Sequence, residues 1–133
     1  MSGTADAYPP ISSYALIGDS HSSGLVSRAG SVDWACFRRL DAPSTFARIL
    51  DWKRGGFCSL APVGAELARR AYLPDTTILE SEHRTGDARG KTVDFFAVSD
   101  ASQAGEAERV HPYHQLIRLT EGVVGTTEWE FAC

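Results

Sequence analysis

Leu25-Val26-Ser27, the turn residues Arg28-Ala29-Gly30-Ser31, and Val32-Asp33-Trp34-Ala35-Cys36 decide the fold. Two short β-prone runs flank four turn-forming residues, and Gly30 supplies the positive φ that such a turn needs. The period of two places Val32, Trp34 and Cys36 on one face of the second strand. The same pattern recurs downstream. Thr77 to Arg84 and Lys91 to Phe96 flank Gly86-Asp87-Ala88-Arg89-Gly90. His114 to Leu119 and Thr127 to Phe131 flank a turn around Gly122 and Gly125.

Between these hairpins, Asp41-Ala42-Pro43 followed by Phe46, Ile49 and Leu50 has the i, i+3, i+4 spacing of one short helix, with Pro43 in its first turn. Residues 1–13, with Pro9-Pro10, read as an extended lead-in, and Ser99 to Glu108 as an exposed loop. Many short strands and one short helix predict an all-β protein. It is an antiparallel β-sandwich over 14–133, or an incomplete one, with Trp34, Phe95, Leu116, Trp129 and Phe131 in its core. The final strand runs to Cys133 without a following partner, so the domain is expected to be truncated there.

The whole chain of 133 residues is the size of one domain, and its composition of 43% hydrophobic residues is that of a folded one. A net charge of −4, with no basic cluster larger than pairs such as Lys53-Arg54 or Arg69-Arg70, argues against nucleic acid as a partner. No apolar run approaches the ~18 residues needed to span a bilayer, and the first residues have no signal-peptide pattern. Cys36, Cys58 and Cys133 have no Cys-x-x-Cys spacing and do not form a disulfide framework. The expectation is a cytoplasmic protein with no cofactor.

Several residue sets carry chemistry and are weighed against plainer uses. Gly18-Asp19-Ser20 after the apolar Tyr14-Ala15-Leu16-Ile17 resembles the nucleophile block of Gly-Asp-Ser serine hydrolases. Glu108-Arg109-Val110-His111-Pro112 resembles a degenerate form of the block that supplies their base. That class also uses an Asn as oxyanion donor and alternates strands with helices. This chain contains no Asn, so a polar turn at Ser20 is favoured. Glu80 and Glu82 share a strand face about 7 Å apart, a spacing that suits paired carboxylates but equally a solvated strand. Glu128 and Glu130 read the same way. His111 and His114 need a third ligand, from His83, His21 or a carboxylate, to hold a metal, so no metal site is predicted. Trp34, Trp52 and Trp129 are the candidate sugar platforms. Only Trp52 is expected to be exposed, the other two serving the core.

The order of four blocks carries a resemblance. Tyr8-Pro9-Pro10-Ile11, Tyr14-Ala15-Leu16-Ile17-Gly18-Asp19, Gly30-Ser31-Val32-Asp33-Trp34 and Arg39-x-Asp41-x-Pro43-x-x-Phe46 make up the first. Tyr72-Leu73-Pro74-Asp75-Thr76 with Leu79-Glu80, Val93-Asp94-Phe95, and Leu116-Ile117-Arg118 through Gly125 follow. Together they resemble the N-terminal domain of bacterial glucoamylase and trehalase-like enzymes, glycoside hydrolase family 15. Ser20-His21, Arg38 and Leu40 depart from that pattern. The resemblance implies a β-sandwich that precedes a catalytic (α/α)6 barrel, which this chain lacks. Both catalytic glutamates of the family lie in that barrel, so no residue here inherits a catalytic role.

On this reading the chain is the non-catalytic module of an enzyme acting on α-glucosides. Its partner is the barrel, in cis or in trans. His21, Trp34, Arg39 and Asp41 are the candidates for substrate access or the domain interface. Gly18, Asp19, Gly30, Ser31, Asp33, Trp34 and Pro43 are the structural motif. The alternatives are a serine esterase using Ser20, and a free-standing carbohydrate-binding or interaction domain.

Overall fold

A computed structural model describes residues 8–99 and 111–133. The strands are β1 (Tyr14–Gly18), β2 (Ser23–Ser27), β3 (Ser31–Cys36), β4 (Phe46–Ala47), β5 (Cys58–Pro62), β6 (Glu66–Tyr72), β7 (Leu79–Thr85), β8 (Ala88–Ser99), β9 (His111–Val124) and β10 (Trp129–Ala132). One sheet has the order β1-β2-β3-β5-β10, with β4 beside β3, and the other β6-β7-β8-β9. All pairings are antiparallel. This is the expected β-sandwich. Of the lead-in, Pro10 is extended and Ile11–Ser13 form a single 3-10 turn.

The Ser27–Ser31 hairpin forms as read, with Gly30 at φ 78° and its missing Cβ direction 2.6 Å from the Leu60 carbonyl oxygen. Any side chain there meets backbone as well as an unfavourable φ. The face assignment beyond it changes, because Val26 pairs with Val32 while Leu25 pairs with Trp34. Asp33 is the extra residue of a bulge, which places Val32 and Trp34 on opposite faces.

The helix expected from Pro43 to Leu50 is absent. The N–H groups of Thr45 and Ile49 donate to Ala35 and Asp33 of β3, and that of Ala47 to Gly55, so the segment is tied mainly to its neighbours. Only one turn at its end closes on itself, with Leu50 and Asp51 both donating to the Ala47 carbonyl. Leu50, on the presumed apolar face, is 71% exposed. Tertiary pairing overrides a helical pattern this short.

The core consists of Ala15, Ile17, Val26, Val32, Ala35, Cys58, Leu79 and Phe96, with Phe37, Phe46 and Leu116 packed against it. Phe37 and Phe96 meet edge to face at 5.5 Å. The expected core therefore needs correction. Phe131 is 65% exposed, and Trp34, Phe95 and Trp129 are half-buried. On β8 the inward residues are Gly90, Thr92, Asp94 and Phe96, so the apolar Val93 and Phe95 lie on the other face. Asp94 is drawn inward by Arg118, its cross-strand partner on β9. Trp129 covers Gly90, where a Cβ would come within 2.7 Å of the indole.

Candidate functional site

The turn from β1 into β2 carries Asp19, Ser20, His21 and Ser22. Asp19 is buried, and its Oδ1 accepts the N–H of His21 at 2.9 Å and the N–H of Ser22. The side chain thus replaces the backbone partners that a tight turn lacks. Ser20 takes φ 71° in that turn and is exposed. Thr77 donates its hydroxyl to the Gly18 carbonyl at 2.9 Å, and Tyr72 to that of Leu16 at 2.7 Å. These bonds join the two walls of an open groove of about 1210 Å³ that runs past Asp19, Ser20, Leu40 and Thr77.

His114 reaches the same turn from the other sheet. Between the pairs Phe96↔Leu116 and Val98↔Pro112, β9 bulges, and His114 adopts φ 55°. Such an irregularity re-aims a side chain. The His114 Nδ1 lies 3.2 Å from the Ser22 hydroxyl and 3.7 Å from Asp19 Oδ2. Its ring meets that of His21 edge to face at 6.1 Å. Ser22 also accepts the N–H of Arg38 at 2.9 Å, and Arg38 has φ 71°. The histidine therefore contacts buried Ser22 rather than Ser20. Serine and carboxylate share one ring nitrogen, so no nucleophile–base–acid relay is formed. Ser99 ends β8, and residues 100–110, which hold the rest of the expected exposed loop together with Glu108, Arg109 and Val110, lie outside the described residues. His111 begins β9. Among the described residues no three metal-ligating side chains converge.

Arg39 and Asp41 lie beyond Arg38 in a solvent-facing turn. The guanidinium grips the carboxylate with two bonds, Nε to Oδ1 at 2.8 Å and Nη2 to Oδ2 at 2.6 Å. That hydrogen-bonded pairing holds the Asp41 carboxyl below its usual range. The side chains are 74% and 70% exposed, so the pair presents a planar polar surface without bracing the core. Pro43 is exposed and Trp34 half-buried.

Asp33, by contrast, is 1% exposed. It accepts the Tyr14 hydroxyl at 2.7 Å and the Ser31 hydroxyl, with the Arg48 guanidinium at 3.9 Å. Burial, followed by the bond to Asp33, pushes the Tyr14 phenol up. Arg48 is sandwiched between Trp52 and Phe57, at 4.0 and 3.9 Å from the ring centroids. Trp52 is half-buried and packs edge-on to Tyr8, so it is no open platform. The Asp33–Arg48 contact could not be read from the linear sequence, since the expected helix placed Arg48 elsewhere.

The paired carboxylates on β7 are engaged at the surface. Glu80 contacts Lys91 at 3.4 Å, and Glu82 contacts Arg89 at 3.1 Å. His83 is buried on the inner face, remote in register from the His114 turn.

Residues 2–117 match the family described as trehalase-like, N-terminal. The chain is 34% identical to a trehalase of Mycolicibacterium smegmatis and 33% identical to one of Mycobacterium tuberculosis, in each case over 95% of this chain and 20% of the relative. A trehalase of Thermoplasma acidophilum is 32% identical over 72% of this chain and 18% of its own length. The chain thus spans about one fifth of the length of the curated relatives it matches. No solved structure matches it significantly. No helix among the described residues is long and apolar enough to cross a membrane. The chain belongs to the family of trehalase-like N-terminal domains.

Proposed function

We propose that the chain is the non-catalytic N-terminal module of a cytoplasmic α-glucoside hydrolase of glycoside hydrolase family 15, glucoamylase- or trehalase-like. Residues 14–133 make the sandwich, and the catalytic (α/α)6 barrel is its partner. The observation that carries this reading is the match of nearly the whole chain to one fifth of proteins named trehalase. The groove mouth supports it. His21, Arg39 and Asp41 are exposed around a turn rigidly held by Asp19 and Ser22, which suits a surface that lines a partner's sugar pocket.

Glycosidic cleavage needs an acid and a second carboxylate held across the scissile bond. Glu80 and Glu82 are instead matched to cations on a strand surface. Glucose release from trehalose and maltose by the purified chain is expected to equal background. Release abolished by Glu80→Gln would overturn the module reading, and ester turnover lost in Ser20→Ala would favour a serine esterase. In the M. smegmatis trehalase, deletion of the matched stretch is expected to abolish turnover.

A further inference from the structure

β10 runs against β5 with Ala132 opposite Ser59, and one step further places Cys133 opposite Cys58. The Val63 N–H donates to the Glu128 carbonyl at 2.8 Å, which makes Val63/Glu128 a hydrogen-bonded pair. By alternation Ser59/Ala132 is another, and Cys58/Cys133 is a non-hydrogen-bonded pair. At such pairs the Cα atoms approach to about 4.5 Å and the side chains lie on one face. That separation falls inside the range of about 4.4–6.8 Å that a disulfide spans. Both cysteines are free thiols, Cys58 buried and Cys133 exposed. Cys36 stands apart, its thiol directed at the Ala42 carbonyl at 3.4 Å.

We propose that Cys58 and Cys133 form a redox-modification site, closed to an intramolecular cross-strand disulfide by exchange with a low-molecular-weight disulfide. Exposed Cys133 attacks first. Its thiolate takes one sulfur of the small disulfide, and the other half leaves as a thiol. Cys58 then attacks Cys133 Sγ, the Cys58–Cys133 bond forms and the second small thiol departs. Two protein thiols are oxidised, one small disulfide is reduced, and the two thiol protons pass to the two small thiols.

Burial pushes the Cys58 thiol up, against the opposing effect of Arg118, and the neighbouring Cys133 thiol pushes it up further. That shift lowers the thiolate fraction, but Cys58 is buried and is reached by Cys133 from within the chain rather than by a small disulfide from solvent, so its part is the second, intramolecular step. The Arg118 Nη1, 4.0 Å from Cys58 Sγ, supports the thiolate as it forms. The product ties β10 to β5 beside an open hollow of about 450 Å³ lined by Phe37, Phe46, Leu60, Leu116 and Phe131.

The test is incubation of the purified chain, at low protein concentration, with excess oxidised glutathione. Intact mass, thiol titration under denaturing conditions and peptide mapping follow. The expected product is a monomer lighter by two hydrogens, with a 58–133 link and Cys36 as its remaining thiol. Its melting temperature should rise by roughly 5 °C or more, as cross-linking a long loop predicts. Cys133→Ser, at an exposed position, should fold normally and form no internal link, and Cys36→Ser should still form it. A persistent glutathione adduct on Cys133, dimers through Cys133, or a link to Cys36 would overturn the assignment.

Discussion

Arg118 on β9 holds Asp94 on β8 through Nε to Oδ1 at 2.7 Å and Nη2 to Oδ2 at 3.3 Å, with both side chains inside the sandwich. Its remaining reach crosses to the other sheet, where Nη1 donates to the Cys58 carbonyl at 2.7 Å and Nη2 to the Gly30 carbonyl at 2.8 Å. One side chain thus neutralises a buried carboxylate and joins the two layers.

Arg118→Ala is expected to destabilise the chain by about 3–5 kcal/mol, because the Asp94 charge is left buried without its partner. A domain of this size has about 5–15 kcal/mol in total, so the loss should be evident as a large fall in the urea midpoint. An unchanged midpoint would show that Arg118 is not the clamp described.

His83 gives the fold a pH dependence. Burial lowers its pKa below the usual 6.5, with Asp94 opposing and Arg118 reinforcing the shift. The unfolded chain then binds the proton more readily than the folded one. Stability is full above the unfolded pKa and falls as the pH drops from about 6.5 toward the lower folded value. The melting temperature should therefore decline between pH 7.5 and 5.5, and His83→Gln should flatten that part of the profile. An equal decline in the variant would assign the effect to other groups.

At Gly90 the expected effect is steric. An added Cβ would lie 2.7 Å from the Trp129 ring, so Gly90→Ala should cost about 1–3 kcal/mol. Trp129→Leu should recover part of that loss in the double variant. Strictly additive effects on the urea midpoint would mean that the two positions do not touch.

Arg39→Ala separates surface from scaffold. The exposed Arg39–Asp41 pair adds little to folding, so the melting temperature should be unchanged within error. The corresponding change in a full-length trehalase-like enzyme should lower kcat/KM if this turn faces substrate. A large fall in melting temperature would return the pair to the scaffold.

The first two hairpins were legible because their turns are encoded locally, as Gly30 at φ 78° illustrates. The third was not formed: β9 and β10 flank Gly125 without pairing, β9 joining β8 in one sheet and β10 joining β5 in the other. The alternation of faces was not legible. One extra residue, Asp33, inverts the relation between Val32 and Trp34, and Asp94 faces inward only because Arg118, 24 positions later, awaits it. Phe46, Ile49 and Leu50 mimic a helical stripe, whereas Phe46 and Ile49 take their backbone partners from β3 and only Leu50 bonds back along its own segment, to Ala47. At the candidate site the motif Gly18-Asp19 pointed to the turn. The approach of His114 depends on a bulge in a distant strand and left no local signal.

The Asp94–Arg118 contact also acts on structures the chain must avoid. If β8 slid by two residues along β9, the faces would be preserved and most apolar contacts would find substitutes. Arg118 would then oppose Thr92 or Phe96, and two charges would be stranded in the interior, each at a cost of several kcal/mol. A slide by one residue would carry Asp94 to the outer face and leave the guanidinium alone inside. Beyond bracing the native fold, the ion pair thus also discriminates against shifted registers, because each of them strands charge in the interior.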